Sequence, residues 1–569
     1  MERPSDLVYW LEEKPPFVRW LLLGLQHVVV ICPYLVLVAL VVEAAHLPSR
    51  EATAHMAMAM LGVVLHTILQ SLRWGPLGSG FLCPPVVSAI YLPACMAAAA
   101  AGGLPLVVGM ILFAGAAEMG LSRIVTRLRK VFPAVVSGII LMAVGIELAK
   151  IGLSVAWSAK IVATPAFGAV ELVFGVALLT MVGLSVWGRR LLRLLCALIG
   201  IVVGYLAAAL LGQLPPSFAA EIAAAPAAMI PLRLPDGVTF SATLIVPFAI
   251  AGIASGLRTV GVLTTCQQIN DAGWTKPEPR SIAGGVLADG LGCAVGGFLS
   301  APGLSASPSL VGIERATGAT SRAIVWSIAA WFVLLACLPK LSALIVHMPK
   351  PVMAAALFFN GSFMFVGGMQ VALSRPVTIR GTFLIGISMM LAMGSIAFPG
   401  FFARLPAWTE QITQSPISIA TVAAVVLNLL FLLGRWSYGT LTLDLGKGAA
   451  GHEDVRAFLA GRAKEWKLPV AEAERIRAAL EDLVDRIAAE DASQGPLRIR
   501  CGWDQYDVTI WLTYRGSLPY LPSQRVRKDM VEEQAFISGL TGYLSSLNAD
   551  SVEPTVQDGR CQLTLVFRV

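Results

Sequence analysis

The chain has 569 residues, 56% hydrophobic and 14% charged, with a formal charge of +7. That balance excludes an ordinary soluble protein, because the apolar residues fall in uncharged runs of about 20, the length a helix needs to cross the hydrocarbon of a bilayer. It also argues against nucleic acid as a partner, since Arg and Lys gather in short loops between apolar runs instead of forming one basic face.

The first apolar stretch, Phe17 to Val42, is longer than a signal-peptide core and is followed by no small-residue cleavage site, so it reads as a first span that stays. Hydropathy and helix breakers then place spans at 17–43, 54–72, 82–98, 104–121, 133–150, 169–187, 192–212, 241–266, 282–300, 306–319, 322–342, 351–373, 379–398 and 415–434, fourteen in all. With Met1 cytoplasmic, the basic clusters fall on one side: Arg73, then Arg123, Arg127, Arg129 and Lys130, then Arg189, Arg190 and Arg193, later Lys276, Arg280 and Arg375, and finally Arg435. Opposite loops carry scattered charges such as Arg50, Lys160 and Arg233. The expectation is a multi-pass protein of a bacterial inner membrane with both termini cytoplasmic.

Fourteen spans divide into two sets of seven, and the third of each set is interrupted. Span three opens with Gly78-Ser79-Gly80-Phe81-Leu82-Cys83-Pro84-Pro85, and span ten with Ala301-Pro302-Gly303-Leu304-Ser305-Ala306-Ser307-Pro308-Ser309. Both predict non-helical backbone, which membrane depth tolerates only where protein or a watery cavity satisfies it. Paired Gly/Pro-interrupted segments in two halves point to a midplane binding site.

The polar residues inside spans are His27, Glu118, Glu147, Arg258, Asp289 and Glu314; each is expected to be neutral, paired or in a wet cavity. Nine cysteines without metal-ligand spacing read as apolar fillers, so no metal or cofactor is expected. Near residue 447 the composition turns charged and amphipathic. Ala471 to Ala489 has helical spacing, while Arg498 to Tyr514 and Gln562 to Val569 alternate as strands do. This predicts a membrane domain over 1–445 and a cytoplasmic α+β domain over 446–569.

Four stretches carry a family resemblance: Gly24-Leu25-Gln26-His27, Gly102 to Val125, Gly284 to Gly292, and Met348-Pro349-Lys350-Pro351-Val352. In this order they resemble the bacterial xanthine/uracil permeases of the nucleobase-ascorbate transporter family, over roughly residues 15–435. The resemblance implies an all-α membrane fold in a seven-plus-seven inverted repeat, with a core domain (spans 1–4 and 8–11) and a gate domain (spans 5–7 and 12–14). It implies short strands in spans three and ten that meet at the substrate. It further implies a homodimeric symporter of xanthine, urate or uracil that works by alternating access and is driven by protons or sodium.

The family's span-eight motif falls on Arg258-Thr259-Val260-Gly261-Val262, so the substrate-binding glutamate is here Arg258 and the cation-coupling position is Val262. The span-ten signature falls on Ser309-Leu310-Val311-Gly312 and Thr317-Gly318; the glycine and threonine match and the two amides do not. The substrate-binding candidates are therefore Arg258, Phe81, Ser309, Tyr34, Gly312 and Thr259. His27, Asp289, Glu314 and Thr317 are candidates for coupling or orienting, and Glu118 for the scaffold. A guanidinium only donates, so the site as written suits an anionic or acceptor-rich ligand, unless Glu314 or Asp289 neutralises it. The sulfate permease family shares the implied fold, which makes small inorganic or carboxylate anions a second reading. A transporter-like receptor signalling through its tail is a third. An enzyme is not expected, because no nucleophile–base set or complete phosphate loop is visible.

In the tail, Ala479 to Asp485, Arg515-Gly516, Gly539-Leu540 and Gln562 to Arg568 resemble a degenerate histidine-kinase-type ATPase domain. Asp485 stands where that family has its magnesium-binding asparagine, and no glycine-rich loop surrounds Tyr514 to Ser517. A regulatory or dimer-stabilising module is expected, without nucleotide.

Overall fold

The computed structural model describes residues 2–124, 133–157, 167–189, 192–193, 195–215, 217–231, 233, 235–274, 277–373, 377–406, 409, 413, 415–432, 437–443, 449–466, 468–489, 493–503, 507–517, 549, 551–557 and 560–568. Arg127, Arg129, Lys130, Lys160, Arg190, Lys276, Arg375, Arg435, Gly539, Leu540 and the expected 445/446 boundary lie outside them. The chain divides into two compact units, Met1–Asn428 and Leu429–Val569.

The first unit runs α1 (Phe17–Ile31), α2 (Val36–Ala44), α3 (Ser49–Ser71), β1 (Pro85–Val87), α4 (Leu92–Ser122), α5 (Ala134–Ala156), α6 (Phe167–Trp187) and α7 (Cys196–Leu210). It continues with α8 (Ile245–Asn270), α9 (Pro279–Phe298), β2 (Leu304–Ala306), α10 (Pro308–Thr317), α11 (Ile324–Ala336), α12 (Pro339–Val346), α13 (Lys350–Ala372), α14 (Ile379–Ala397) and most of α15 (Pro416–Leu432), within which the division falls. Prolines explain several starts: Pro279, Pro308, Pro339 and Pro351 sit in first turns, where a missing N–H costs nothing.

Among the described residues nine helices are long and apolar enough to cross a membrane, or ten if α11 and α12, bent by 80°, form one span. The protein is thus a mostly helical, multi-pass membrane protein. The expectation of fourteen spans also counted the shorter apolar helices 196–210 and 416–432 and the two interrupted segments. These segments are short because strand backbone replaces part of each: α10 has ten residues, and the helix that follows β1 is broken at Gly102 and Gly103, the latter at φ 68°. That break separates the predicted spans 82–98 and 104–121.

Small residues allow close helix packing where lipid offers no hydrophobic drive. A Cβ on Gly145 would stand 2.6 Å from the Gly361 carbonyl oxygen, and one on Gly368 would stand 2.6 Å from that of Gly138, so α5 and α13 meet backbone to backbone. Likewise a Cβ on Gly115 would lie 2.6 Å from the Gly290 carbonyl oxygen, which seats α4 against α9.

The second unit contains α16 (Ala449–Trp466), α17 (Val470–Ala489) and a five-stranded antiparallel sheet of order β3-β4-β5-β7-β6, with β3 Ser437–Leu443, β4 Leu497–Trp503, β5 Asp507–Arg515, β6 Ser551–Gln557 and β7 Arg560–Arg568. Val455, Leu480, Leu483 and Ile487 from the helices share a core with Ile499, Ile510, Leu512, Leu563 and Leu565 from the strands. β3 lies before the expected domain boundary yet pairs with β4 along its whole length, from Ser437↔Trp503 to Leu443↔Leu497. The amphipathic reading began too late because an edge strand of Thr and Leu carries no charge signal.

The glycine contacts give a first test. Gly145→Leu has no room at the α13 backbone, and overpacking of this kind costs about 1–3 kcal/mol. A lower melting temperature in detergent is expected, whereas Gly168→Leu, with nothing within 4 Å of its Cβ position, should leave it unchanged.

Candidate substrate-binding site

The two interrupted segments come together as an antiparallel pair, with Pro85↔Ala306, Val86↔Ser305 and Val87↔Leu304 as partners. All six residues are buried. Pairing satisfies part of their backbone at a depth where an unpaired N–H or C=O would cost several kcal/mol. Outside the strands, the Ser88 N–H donates to the Gly303 carbonyl at 2.9 Å.

Asp289 of α9 holds this pair in place. Its Oδ1 accepts the Ala306 N–H of β2 at 2.9 Å and lies 2.9 Å from His66 Nε2 of α3, while its Oδ2 accepts the Thr259 hydroxyl of α8 at 2.7 Å. All four residues are fully or almost fully buried. Thr259 also sits 3.5 Å from the Ser305 hydroxyl of β2. One carboxylate therefore ties three helices to the strand. A second acid, Glu118 of α4, accepts from the Tyr91 hydroxyl at 3.1 Å and lies beside Asp289.

Next to this network, Arg258 is 4% exposed, and its Nε and both terminal nitrogens find no hydrogen-bond partner among the described residues. The groups in electrostatic reach of it are Asp289, Tyr34, Tyr91 and Glu118, none bonded to it. The ion pair expected as its alternative fate is absent: Asp289 is committed to His66, Thr259 and Ala306. Glu314 lies buried near Cys83 with both carboxylate oxygens unpartnered. Tyr34, in the turn between α1 and α2, interacts with Ser309 and with Arg258. Ser309 and Gly312 lie on the exposed side of α10, and the Ser307 and Ser309 hydroxyls are 2.7 Å apart.

The remaining candidates stand elsewhere. Phe81 is completely buried in an apolar cluster with Leu11, Val262, Leu263, Ile282 and Val311, which is core packing. His27 is buried, with Nδ1 2.8 Å from the Leu23 carbonyl of its own helix and Nε2 unpartnered. Thr317 donates to the Ile313 carbonyl at 2.8 Å, closing its own helix. The structure thus gathers Arg258, Tyr34 and Ser309 in one place and Asp289 and Thr259 just behind it. Phe81 packs in a cluster that also holds Ala306, and the hydrogen bonds that His27 and Thr317 make among the described residues stay within their own helices. An open pocket of about 690 Å³ lined by Glu43, Ser49, Gln213, His347 and Lys350 contains none of the candidates.

His66 and Tyr91 were missed. His66 had a readable signal, a polar side chain inside an apolar run. Tyr91 had none, because a tyrosine at a helix start is ordinary in sequence.

The network predicts coupled costs. Asp289→Asn and His66→Ala should each lower stability by about 3–5 kcal/mol, the scale for stripping one partner from a buried pair. The double variant should cost less than the sum of the two, as measured by denaturation in detergent.

A family model with the description Permease family, that of the xanthine/uracil permeases, matches residues 18–401. The chain is 26% identical over 441 residues to xanthine permease XanP of Escherichia coli K12, covering 75% of this chain and 95% of that protein. It is 29% identical to xanthine permease XanQ of the same strain, covering 75% and 94%. It is 27% identical to uric acid permease PucJ of Bacillus subtilis 168, covering 72% and 92%. In fold it is similar to the murine Solute Carrier 26 family member A9 anion transporter in the inward-facing state, with a TM-score of 0.50 at 12% identity, covering 76% of this chain and 71% of that one. The match spans well over half of the sequence and contains every site residue described above, so the chain belongs to the permease family of the xanthine/uracil type.

Proposed function

We propose that the protein is a secondary transporter of purine bases of the xanthine and urate kind, and that it favours the anionic or acceptor-rich forms. The observation that carries this reading is Arg258, a buried guanidinium with no hydrogen-bond partner among the described residues, beside the paired strands. A buried charge left unmet is costly, and a guanidinium offers five donors and no acceptor. Ring carbonyls and a deprotonated ring nitrogen supply what it lacks. Relatives named for xanthine and uric acid support the substrate class.

In this reading Arg258, Tyr34, Ser309 and Gly312 face the ligand and Thr259 holds the site from behind, while Phe81 supplies apolar packing. Asp289 and His66 would link a coupling proton to the position of β2, with His27, Glu314 and Thr317 as orienting residues; sodium is the other coupling ion. We read spans 1–4 and 8–11 of a fourteen-span inverted repeat as the core, spans 5–7 and 12–14 as the gate, both termini as cytoplasmic in an inner membrane, and the working form as a homodimer. The C-terminal unit, outside the matched region, is read as a regulatory or dimer-stabilising module.

Binding to purified protein tests the central claim. Arg258→Ala should weaken urate or xanthine binding by about 2 kcal/mol, roughly thirtyfold, and Arg258→Glu should weaken it at least as much while admitting neutral uracil. Ligand-induced thermal shifts on the three proteins measure this. Unchanged affinity in Arg258→Ala would remove the argument from charge. Competition by sulfate or bicarbonate but not by purines would favour the small-anion reading.

A further inference from the structure

α9 ends in a two-bond turn of the kind that glycine usually closes. The Ser300 N–H donates to the Gly297 carbonyl and the Ala301 N–H to the Gly296 carbonyl, both at 2.9 Å, which puts the residue after the helix cap in the left-handed region. That residue is Ser300, at φ 67°. Among the described residues only His46 shares a positive φ without being glycine. α10 also closes on a left-handed residue, and there it is Gly318 at φ 66°. A Cβ in this conformation crowds the carbonyl oxygen that follows it, so a serine stays there only where its surroundings over-determine it.

Ser300 finds its support in His55 of α3. The imidazole Nδ1 lies 2.8 Å from the Ser300 hydroxyl, and both residues are buried. A buried hydroxyl deprived of its partner is costly, so the side chain holds the backbone that carries it. His55 and His66 stand about three turns apart on α3 and so face α9 together. Between them the two helices nearly touch: a Cβ on Gly62 would lie 3.0 Å from the Gly296 Cα. α3 therefore grips the segment around β2 at both ends, through His66 and Asp289 at Ala306 and through His55 at Ser300. Only Ala301, Pro302 and Gly303 separate Ser300 from the strand, and the Gly303 carbonyl accepts the Ser88 N–H just beyond β1. The φ of Ser300 thus sets the direction in which the chain leaves α9 and enters β2.

We propose that His55 is a positioning residue for the strand pair. Its hydrogen bond keeps Ser300 left-handed, and this fixes where β2 begins and where Ser309 of α10 stands relative to Arg258. The consequence for binding rests on the purine reading above; the hold on β2 does not.

Hydrogen exchange of the full-length protein in detergent, read by mass spectrometry on peptides covering 299–306, tests this without ligand. His55→Ala and Ser300→Ala each remove the bond but keep a Cβ at position 300, and both should speed exchange there by at least about tenfold. Ser300→Gly removes the crowding itself and should stay within about threefold of the wild type. The deciding protein is the double variant, His55→Ala with Ser300→Gly. It should return to within about threefold of Ser300→Gly alone, although the space left by the imidazole is still there. Exchange unchanged in either alanine variant overturns the proposal. So does a double variant as fast as His55→Ala, because the histidine would then act through packing. Unchanged exchange over 134–156 of α5 reports that each variant is folded, and Ser300→Ala, which loses one oxygen atom, carries the test where His55→Ala does not fold. Xanthine or urate affinity should fall and recover in the same order. Wild-type protein that binds neither would overturn the purine reading, while the exchange result still decides the role of His55.

Discussion

Two short strands buried among apolar helices are the constraint on which the rest of the permease unit depends. Backbone in lipid must find internal partners, and 85–87 and 304–306 find them chiefly in one another. Pairing segments more than two hundred residues apart requires the helices that carry them to approach closely. Glycines at Gly115 and Gly290 permit this, because α4 and α9 then meet without intervening side chains. The strand pair in turn has to be held in one register. Asp289 does that by accepting the Ala306 N–H with the same carboxylate oxygen that meets His66.

Arg258 acquires its character from this arrangement. It neighbours Thr259, whose hydroxyl is spent on Asp289, so that acid is engaged by donors other than the guanidinium. The acids Asp289 and Glu118 moderate the charge at a distance without bonding to it. The charge is thus compensated at long range and unbonded at short range among the described residues. Had Asp289 been free to turn toward Arg258, the same residue would have been a structural ion pair.

The C-terminal unit follows the physics of a soluble sheet. Alternation along β4 sends Leu497, Ile499 and Cys501 inward and Arg498 and Arg500 outward, and the helices cover only the inward face.

The sequence by itself determined the membrane character, the place of nearly every apolar helix and the two interrupted segments. These follow from composition, from runs set by bilayer thickness, and from Gly and Pro, whose backbone effects are local. Tertiary structure alone decided what each polar residue meets. Phe81 and Tyr34 are both aromatic residues beside an interrupted segment, yet Phe81 packs into a core and Tyr34 reaches Ser309. His66 came forward only as the partner of Asp289, and β3 joined the second unit only through its ladder with β4. Partners distant in the chain are set by helix packing and strand register, and neither leaves a periodic signal in one sequence.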